Sequence, residues 1–195
     1  MITAQFDNWA PRPPDMAIEW DPPLYQNVWE FEQLLTLYRR RKPRRVLEIG
    51  TFHGGSLKCW IDGTAPGATI VSIDLPVPGA SDRQRWGEWA ELAQQHVYAY
   101  QGASQSPEMI AAAQRHGPYD WIFIDADHSY LAVRNDWDEY GALIVPNGVI
   151  ALHDINPREG YGVSMLWREI QQQGWVTQEI NAGVAGLCGI GVIYA

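Results

Sequence analysis

The sequence predicts an α/β fold: a seven-stranded, mostly parallel sheet with helices on both faces and an antiparallel hairpin strand at its C-terminal end. Three observations predict it. From Pro43 onward, short apolar runs alternate with amphipathic helical segments, the pattern of parallel strands joined by helical crossovers. The last two apolar runs, 175–180 and 189–195, have no helix between them, so they pair as a hairpin with one strand reversed. The chain of 195 residues is of single-domain size, and 46% hydrophobic against 19% charged residues fits one packed core.

Residues 1–24 are rich in proline (Pro11, Pro13, Pro14, Pro22, Pro23) and read as an irregular arm before a domain spanning 25–195. A helix is expected to start after Asp21, with the last two prolines in its first turn, and to end near Arg41. Its apolar positions Val28, Phe31, Leu35 and Tyr38 recur at helical spacing. Strands then follow at RVLEI (45–49), TIVSID (69–74), VYAYQ (97–101), YDWIFID (119–125) and GVIALHD (148–154). Between them lie helices at SLKCWID (56–62, closed by Gly63), DRQRWGEWAELAQQ (82–95), PEMIAAAQRH (107–116) and LAVRNDWDEYGALI (131–144). A last helix, VSMLWREIQQQ (163–173), stops at Gly174 before the terminal hairpin.

A net charge of −9 argues against a general nucleic-acid or anionic-membrane binder, because phosphate backbones are held by Lys and Arg. The basic run Arg39-Arg40-Arg41-Lys42 ends a helix, where it complements the helix dipole. Cys59 and Cys188 form no CxxC or zinc pattern and read as reduced, buried thiols. The N-terminus lacks the basic and apolar regions of a signal peptide, and no apolar run is long enough to span a bilayer. A cytoplasmic protein is the expectation, and homo-oligomerisation is left open.

In an open parallel sheet, ligands bind beyond the carboxyl ends of the strands. Here the first strand ends Glu48-Ile49-Gly50, the second at Asp74, and the third leads into Gly102-Ala103-Ser104. The fourth ends Asp125-Ala126-Asp127-His128 and the fifth His153-Asp154. Gly50 and Gly54-Gly55-Ser56 fit neither the G-x-G-x-x-G dinucleotide fingerprint nor a P-loop. Glu48 opposes a pyrophosphate and favours a ligand with positive charge, while Asp74 stands where such folds bond the ribose hydroxyls. A nucleoside with a cationic tail and no phosphate satisfies both, and S-adenosylmethionine is such a molecule.

The linked stretches LEIGTFHGGS, VSIDL, GAS and IFIDADHSY…PNGVIALHD, over roughly residues 44–155, resemble the class I S-adenosylmethionine-dependent methyltransferases. Within them the chain looks most like the small metal-assisted O-methyltransferases. GASQS is similar to the adenine turn of catechol O-methyltransferase, and DADHSY to a stretch of the caffeoyl-CoA enzymes. Endings like GVIALHD are similar to those of bacterial enzymes acting on natural-product sugars. The resemblance implies a Rossmann-like methyltransferase domain acting on a hydroxyl of a small-molecule acceptor. It implies that Gly50, Thr51, Gly54 and Gly55 bring backbone close to the methionine portion, with Glu48 orienting that turn or meeting the cationic end. Ser56 would meet the methionine carboxylate, Asp74 the ribose, Ala103 and Ser104 the adenine edge, and Leu75 its face. Asp125 would lie beneath the methionine end.

The same resemblance implies a divalent cation, Mg²⁺ or Mn²⁺, on Asp125, His153 and Asp154, with Asp127 as an alternative to Asp125. Histidine in place of the usual acid or amide shifts preference toward Mn²⁺, Fe²⁺ or Zn²⁺. His128 takes the position of a catalytic lysine, so it reads as general base, with cation ligand and helix cap as the other readings. Asp136 reads as a solvent-facing or helix-bonding acid, and His53 has no assigned role. Phe6, Trp9, Arg158 and Tyr161 are candidates for acceptor recognition. A metal-dependent hydroxylase on the same fold and a non-catalytic cofactor binder are the rival readings; a nicotinamide dehydrogenase is disfavoured by the missing fingerprint.

Overall fold

The computed structural model describes residues 24–76, 83–181 and 188–195. The expected proline-rich arm, with Phe6 and Trp9, lies outside the described residues. The chain runs α1 (Val28–Arg41), β1 (Arg45–Ile49), α2 (Gly55–Gly63), β2 (Thr69–Asp74), α3 (Arg83–Leu92) and β3 (His96–Gln101). It continues α4 (Pro107–His116), β4 (Tyr119–Ile124), α5 (Tyr130–Gly141), β5 (Ile144–His153), α6 (Val163–Gln172), β6 (Val176–Ile180) and β7 (Ile190–Tyr194). The sheet has seven strands in the order β3-β2-β1-β4-β5-β7-β6, with β7 antiparallel to both neighbours. The expected parallel sheet with a reversed closing strand is thus present. No helix among the described residues is long and apolar enough to cross a membrane.

Alternation along each strand sorts the core into two layers. Val46, Trp121, Phe123 and Val192 face α1, α2 and α3, where Phe31, Tyr38 and Trp60 pack against them. Leu47, Ile122, Ile124 and Ile193 face α4, α5 and α6, meeting Ala113, Tyr140 and Ile170. Trp60 is the hub of the first layer, with ring centroids 4.8 Å from Tyr38, 5.3 Å from Phe31 and 5.4 Å from Phe123. Such tilted and edge-on contacts add to the burial term that holds helix to sheet. The order places β1 between β2 and β4, so the chain leaves β1 to one side and returns to the other. That reversal opens a crevice at the strands' carboxyl ends.

The largest departures from the expected boundaries lie at the start of α1 and at the α5–β5 junction. Helix α1 begins at Val28, not after Asp21, because Asn27 caps it by accepting the Glu30 amide at 3.1 Å. Residues 24–27 are not helical, and Leu24 and Gln26 are buried against the rest of the domain instead. Strand β5 begins at Ile144 rather than at Gly148, and α5 ends correspondingly early at Gly141. Asn147, at φ 67, lets Pro146-Asn147-Gly148 sit as an irregularity inside β5 instead of a turn before it, and Ile144 already pairs with Tyr119.

Candidate active site

The strand ends are aligned by hydrogen bonds that continue the ladder past its last residues. Gly50 N–H donates to the Ile73 carbonyl at 2.8 Å, Asp125 N–H to Ile49 at 2.8 Å, and Gly102 N–H to Asp74 at 2.9 Å. Gly50 is required at this edge: its φ is +87°, and a Cβ there would lie 1.9 Å from the Asp125 carbonyl oxygen. The carboxylate of Asp74 then fixes the β1–α2 turn. Its Oδ2 accepts the Thr51 amide at 3.0 Å and the Phe52 amide, and its Oδ1 accepts Leu75 N–H at 2.7 Å.

These turns floor a cleft of about 530 Å³, a volume typical of small-molecule sites. Gly50, Thr51, Gly55 and Ser56 line it from the β1–α2 turn, and Asp74 and Leu75 from the end of β2. Ala103, Ser104 and Asp125 line it from the next two strand ends. Two of the expected cofactor contacts do not reach it. Gly54 faces away, its Cα so close to Trp86 that a Cβ would meet the indole nitrogen at 2.5 Å. Glu48 is fully buried beneath the turn, its Oε1 accepting Trp60 Nε1–H at 2.8 Å. Burial pushes its pKa up to about 7, against hydrogen bonds from Ser56, Trp60 and Thr51 that draw it down. Of its two expected roles, orienting the turn is the one the geometry allows. The charge facing a ligand comes instead from Asp74, Asp125, Asp127 and Asp154, with Arg158 the one Lys or Arg lining the cleft among the described residues.

Beyond the ends of β4 and β5, Asp125, His128, His153 and Asp154 bring their candidate ligand atoms within 4.8 Å of one another. His153 Nδ1 lies 3.2 Å from Asp125 Oδ1 and 3.1 Å from Asp154 Oδ2. His128 Nε2 lies 2.7 Å from Asp154 Oδ2 and 3.5 Å from Asp125 Oδ1. Asp154 has a left-handed backbone (φ 60), a conformation that aspartate tolerates and that is common at functional turns. Although burial works to raise both carboxyls, the His153 charge and hydrogen bonds from His128 and His153 hold Asp125 and Asp154 well below the usual range. Burial opposes protonation of the imidazoles, yet the two carboxylates raise His128 to about 9 and His153 well above its ordinary value. Asp127 is not in this cluster; its Oδ1 accepts Ser129 N–H at 2.8 Å at the start of α5. A cation with metal–oxygen or metal–nitrogen bonds of about 2.0–2.2 Å spreads its ligand atoms about 3–4.4 Å apart. The His153–Asp125, His153–Asp154 and His128–Asp125 pairs, at 3.1–3.5 Å, lie in that range, and His128 and Asp154, at 2.7 Å, lie just below it.

Several lining residues were not foreseen. Gln26 Nε2–H donates to Asp125 Oδ2 at 2.7 Å from the segment before α1. Gln105 and Cys188 line the cleft, the latter half-buried and reduced rather than buried in the core as expected. Asp136, expected as an outward or helix-bonding acid, is wholly buried and accepts Gln105 Nε2–H at 3.2 Å. An exposed acid on an amphipathic helix and a buried one carry the same residue code, and only the inward placement between Val133 and Tyr140 hinted at this. On the opposite lip, Tyr161 stacks on His128 with centroids 4.4 Å apart and planes 8° from parallel, and Arg158 lies 4.4 Å from the Tyr161 ring. His53 forms part of the rim, its ring 4.1 Å from Phe52 and 6.0 Å from Tyr25. Away from the cleft, His116 stacks on Tyr98 with ring centroids 4.1 Å apart.

A seven-stranded sheet of this order, with acidic and small residues at consecutive strand ends, defines the class I methyltransferase fold. A family profile described as "Methyltransferase domain" matches residues 47–155, more than half of the chain, and the chain belongs to that family. An uncharacterised protein of Sinorhizobium fredii is 25% identical over 141 residues; the match covers 66% of this chain and 15% of that much longer protein. An O-methyltransferase from Bacillus cereus, solved in complex with SAH, superposes with a TM-score of 0.68 at 20% identity, covering 87% of this chain and 82% of that one. MycE, a methyltransferase of mycinamycin biosynthesis solved with Mg, SAH and mycinamycin VI, superposes with a TM-score of 0.53 at 21% identity. That match covers 84% of this chain and 47% of MycE.

Proposed function

We propose that the protein transfers a methyl group from S-adenosylmethionine to a hydroxyl oxygen of a small molecule, assisted by a divalent cation. The observation that carries this reading is a single cleft joining two sets of residues. One set, Ser56, Asp74 and Ser104, suits a nucleoside with a zwitterionic tail; the other, Asp125, His128, His153 and Asp154, suits a cation beside it. The B. cereus enzyme with SAH and MycE with Mg and SAH support the same pairing by likeness. When bound, S-adenosylmethionine supplies a methyl group already activated on a sulfonium, so the protein's tasks are alignment and deprotonation of the acceptor.

The chain's own residues divide those tasks. The free N–H groups opening α2, that of Ser56 among them, receive the methionine carboxylate, while the Ser56 hydroxyl is engaged by Glu48. Asp74 has lone pairs left for the ribose hydroxyls while it holds the turn. Leu75, 58% exposed at the cleft edge, covers the base, and Ala103 and Ser104 meet its rim. Asp125, His153 and Asp154 hold the cation, which would lower the pKa of an acceptor hydroxyl. His128 takes the acceptor's proton at Nε2, with Tyr161 fixing the plane of its ring. While both carboxylates face it, His128 stands near 9 and is protonated at neutral pH, so the base role depends on a cation taking up their charge.

The test is transfer of a labelled methyl group to a panel of phenols, catechols and sugars with Mg²⁺, Mn²⁺ or chelator, product mass being read. Methylated product that disappears with chelator supports the proposal. The pair of imidazoles also favours a second reading, a hydroxylase in which an iron ion serves a redox role. Product heavier by one oxygen rather than by a methylene, formed only with Fe²⁺ and an oxidant, would establish that instead.

A further inference from the structure

On the α5 side of the cleft, two side chains one helical turn apart grip the turn after β3. Tyr140 donates its hydroxyl hydrogen to the Ser104 carbonyl. Asp136, with no exposed surface, accepts Gln105 Nε2–H at 3.2 Å through Oδ1. The same Nε2 donates to Ser104 Oγ at 2.7 Å. A carboxamide has two N–H donors, and both are therefore engaged within the protein. Gln105 lines the cleft, so what it has left for a ligand is its carbonyl oxygen, an acceptor.

Asp136 imposes that polarity. An ionised carboxylate only accepts, so turning the amide over would set its oxygen against the wholly buried Asp136 carboxylate and leave that group a donor short, at a cost of about 1–3 kcal/mol. Burial raises the Asp136 pKa to about 6, with hydrogen bonds from Ser104 and Gln105 pulling it down, so the group is ionised at pH 8. Ser104 completes the set: its hydroxyl accepts from Gln105 and has its own hydrogen free for the carboxylate.

We propose that Asp136 is a positioning residue that holds the Gln105 carboxamide with its oxygen toward the cleft, so that this end selects a base with an exocyclic amine over one with a carbonyl at that place. Adenine has the amine and hypoxanthine the carbonyl. The inference rests on the cofactor reading above and adds to it the origin of base selectivity, from a helix residue that touches no ligand.

The test is calorimetric binding at pH 8 of S-adenosylhomocysteine and its hypoxanthine analogue to the parent, Asp136→Asn and Gln105→Ala. The parent prefers the adenine compound. In Asp136→Asn the new amide can donate to Gln105 as well as accept, the carboxamide turns freely, and the preference falls by about tenfold or more. Gln105→Ala, a change at an exposed side chain, loses the preference too and carries the test if the buried substitution does not fold. A merely structural role for Asp136 would weaken both ligands equally and leave their ratio unchanged. That result, or an unchanged ratio in Gln105→Ala, overturns the inference while leaving the cofactor site intact. A parent protein that binds neither compound overturns the cofactor reading and this inference together.

Discussion

Gln26 Nε2–H donates to Asp125 Oδ2 at 2.7 Å across 99 positions of sequence, making the segment before α1 a wall of the acidic centre. The bond satisfies a carboxylate oxygen that His128 and His153 do not face. Gln26→Leu keeps the bulk and removes the donor, so stability measured by urea unfolding falls by about 1.5–3 kcal/mol, as for a bond to a charged group. A Gln26→Leu protein as stable as the parent would show that the contact contributes nothing.

His153 stands between Asp125 and Asp154 with only 4% of its surface exposed. His153→Ala therefore weakens Mn²⁺ binding, titrated calorimetrically, by at least about 10–100-fold, the range seen even for groups that only support a ligand. Cofactor binding persists in that variant. Equal Mn²⁺ affinity in parent and variant would remove His153 from the ligand set.

In the proposed mechanism His128 takes the acceptor's proton, and Tyr161 stacks on its ring. His128→Ala lowers kcat about 10²–10⁴-fold while S-adenosylhomocysteine binds as before. A kcat within a few fold of the parent would assign the ring to packing.

Glu48 makes stability depend on pH in a defined direction. Its folded pKa is about 7 against an ordinary carboxyl value of 4.5, so between those values the native state binds more protons than the unfolded chain. Stability therefore falls as pH rises from about 4.5 to 7, by up to about 3 kcal/mol in total, and levels off above. Asp136, raised to about 6 chiefly by burial, adds a smaller slope of the same sign. Glu48→Gln removes the larger slope: chemical unfolding finds the variant ahead of the parent at pH 8 and level with it or behind at pH 5. A constant difference across that range would contradict a buried, proton-binding Glu48.

Period and punctuation carried the fold because the inner strands β1, β2, β4 and β7 are buried on both faces and the helices on one, so local pattern and tertiary role agree. Strand-end carboxylates were legible for the same reason: a topology that aligns the strands also aligns their last residues. What could not be read were relations between distant segments. Gln26 looked like part of a helix turn, but its partner lies on β4. Glu48 could be read as orienting the turn or as meeting a cationic ligand, and only its hydrogen bond to Trp60 on α2, which turns it into the core, separates the two. Asp136 differs from an exposed acid only by the turn that α5 happens to cover. In each case the deciding contact joins elements whose relative placement no local pattern encodes.

In the proposed function, the cleft over β1, β2 and β4 is an S-adenosylmethionine site anchored by Asp74. Calorimetric titration of S-adenosylhomocysteine into the parent and into Asp74→Ala, each confirmed folded by circular dichroism, tests it most directly. One saturable site per chain is expected in the parent. Affinity is expected to be at least about a hundredfold weaker in the variant, which loses the ribose acceptor and the clasp on Thr51 and Phe52 together. No binding to the parent, or parent-like affinity in a folded Asp74→Ala protein, would contradict it.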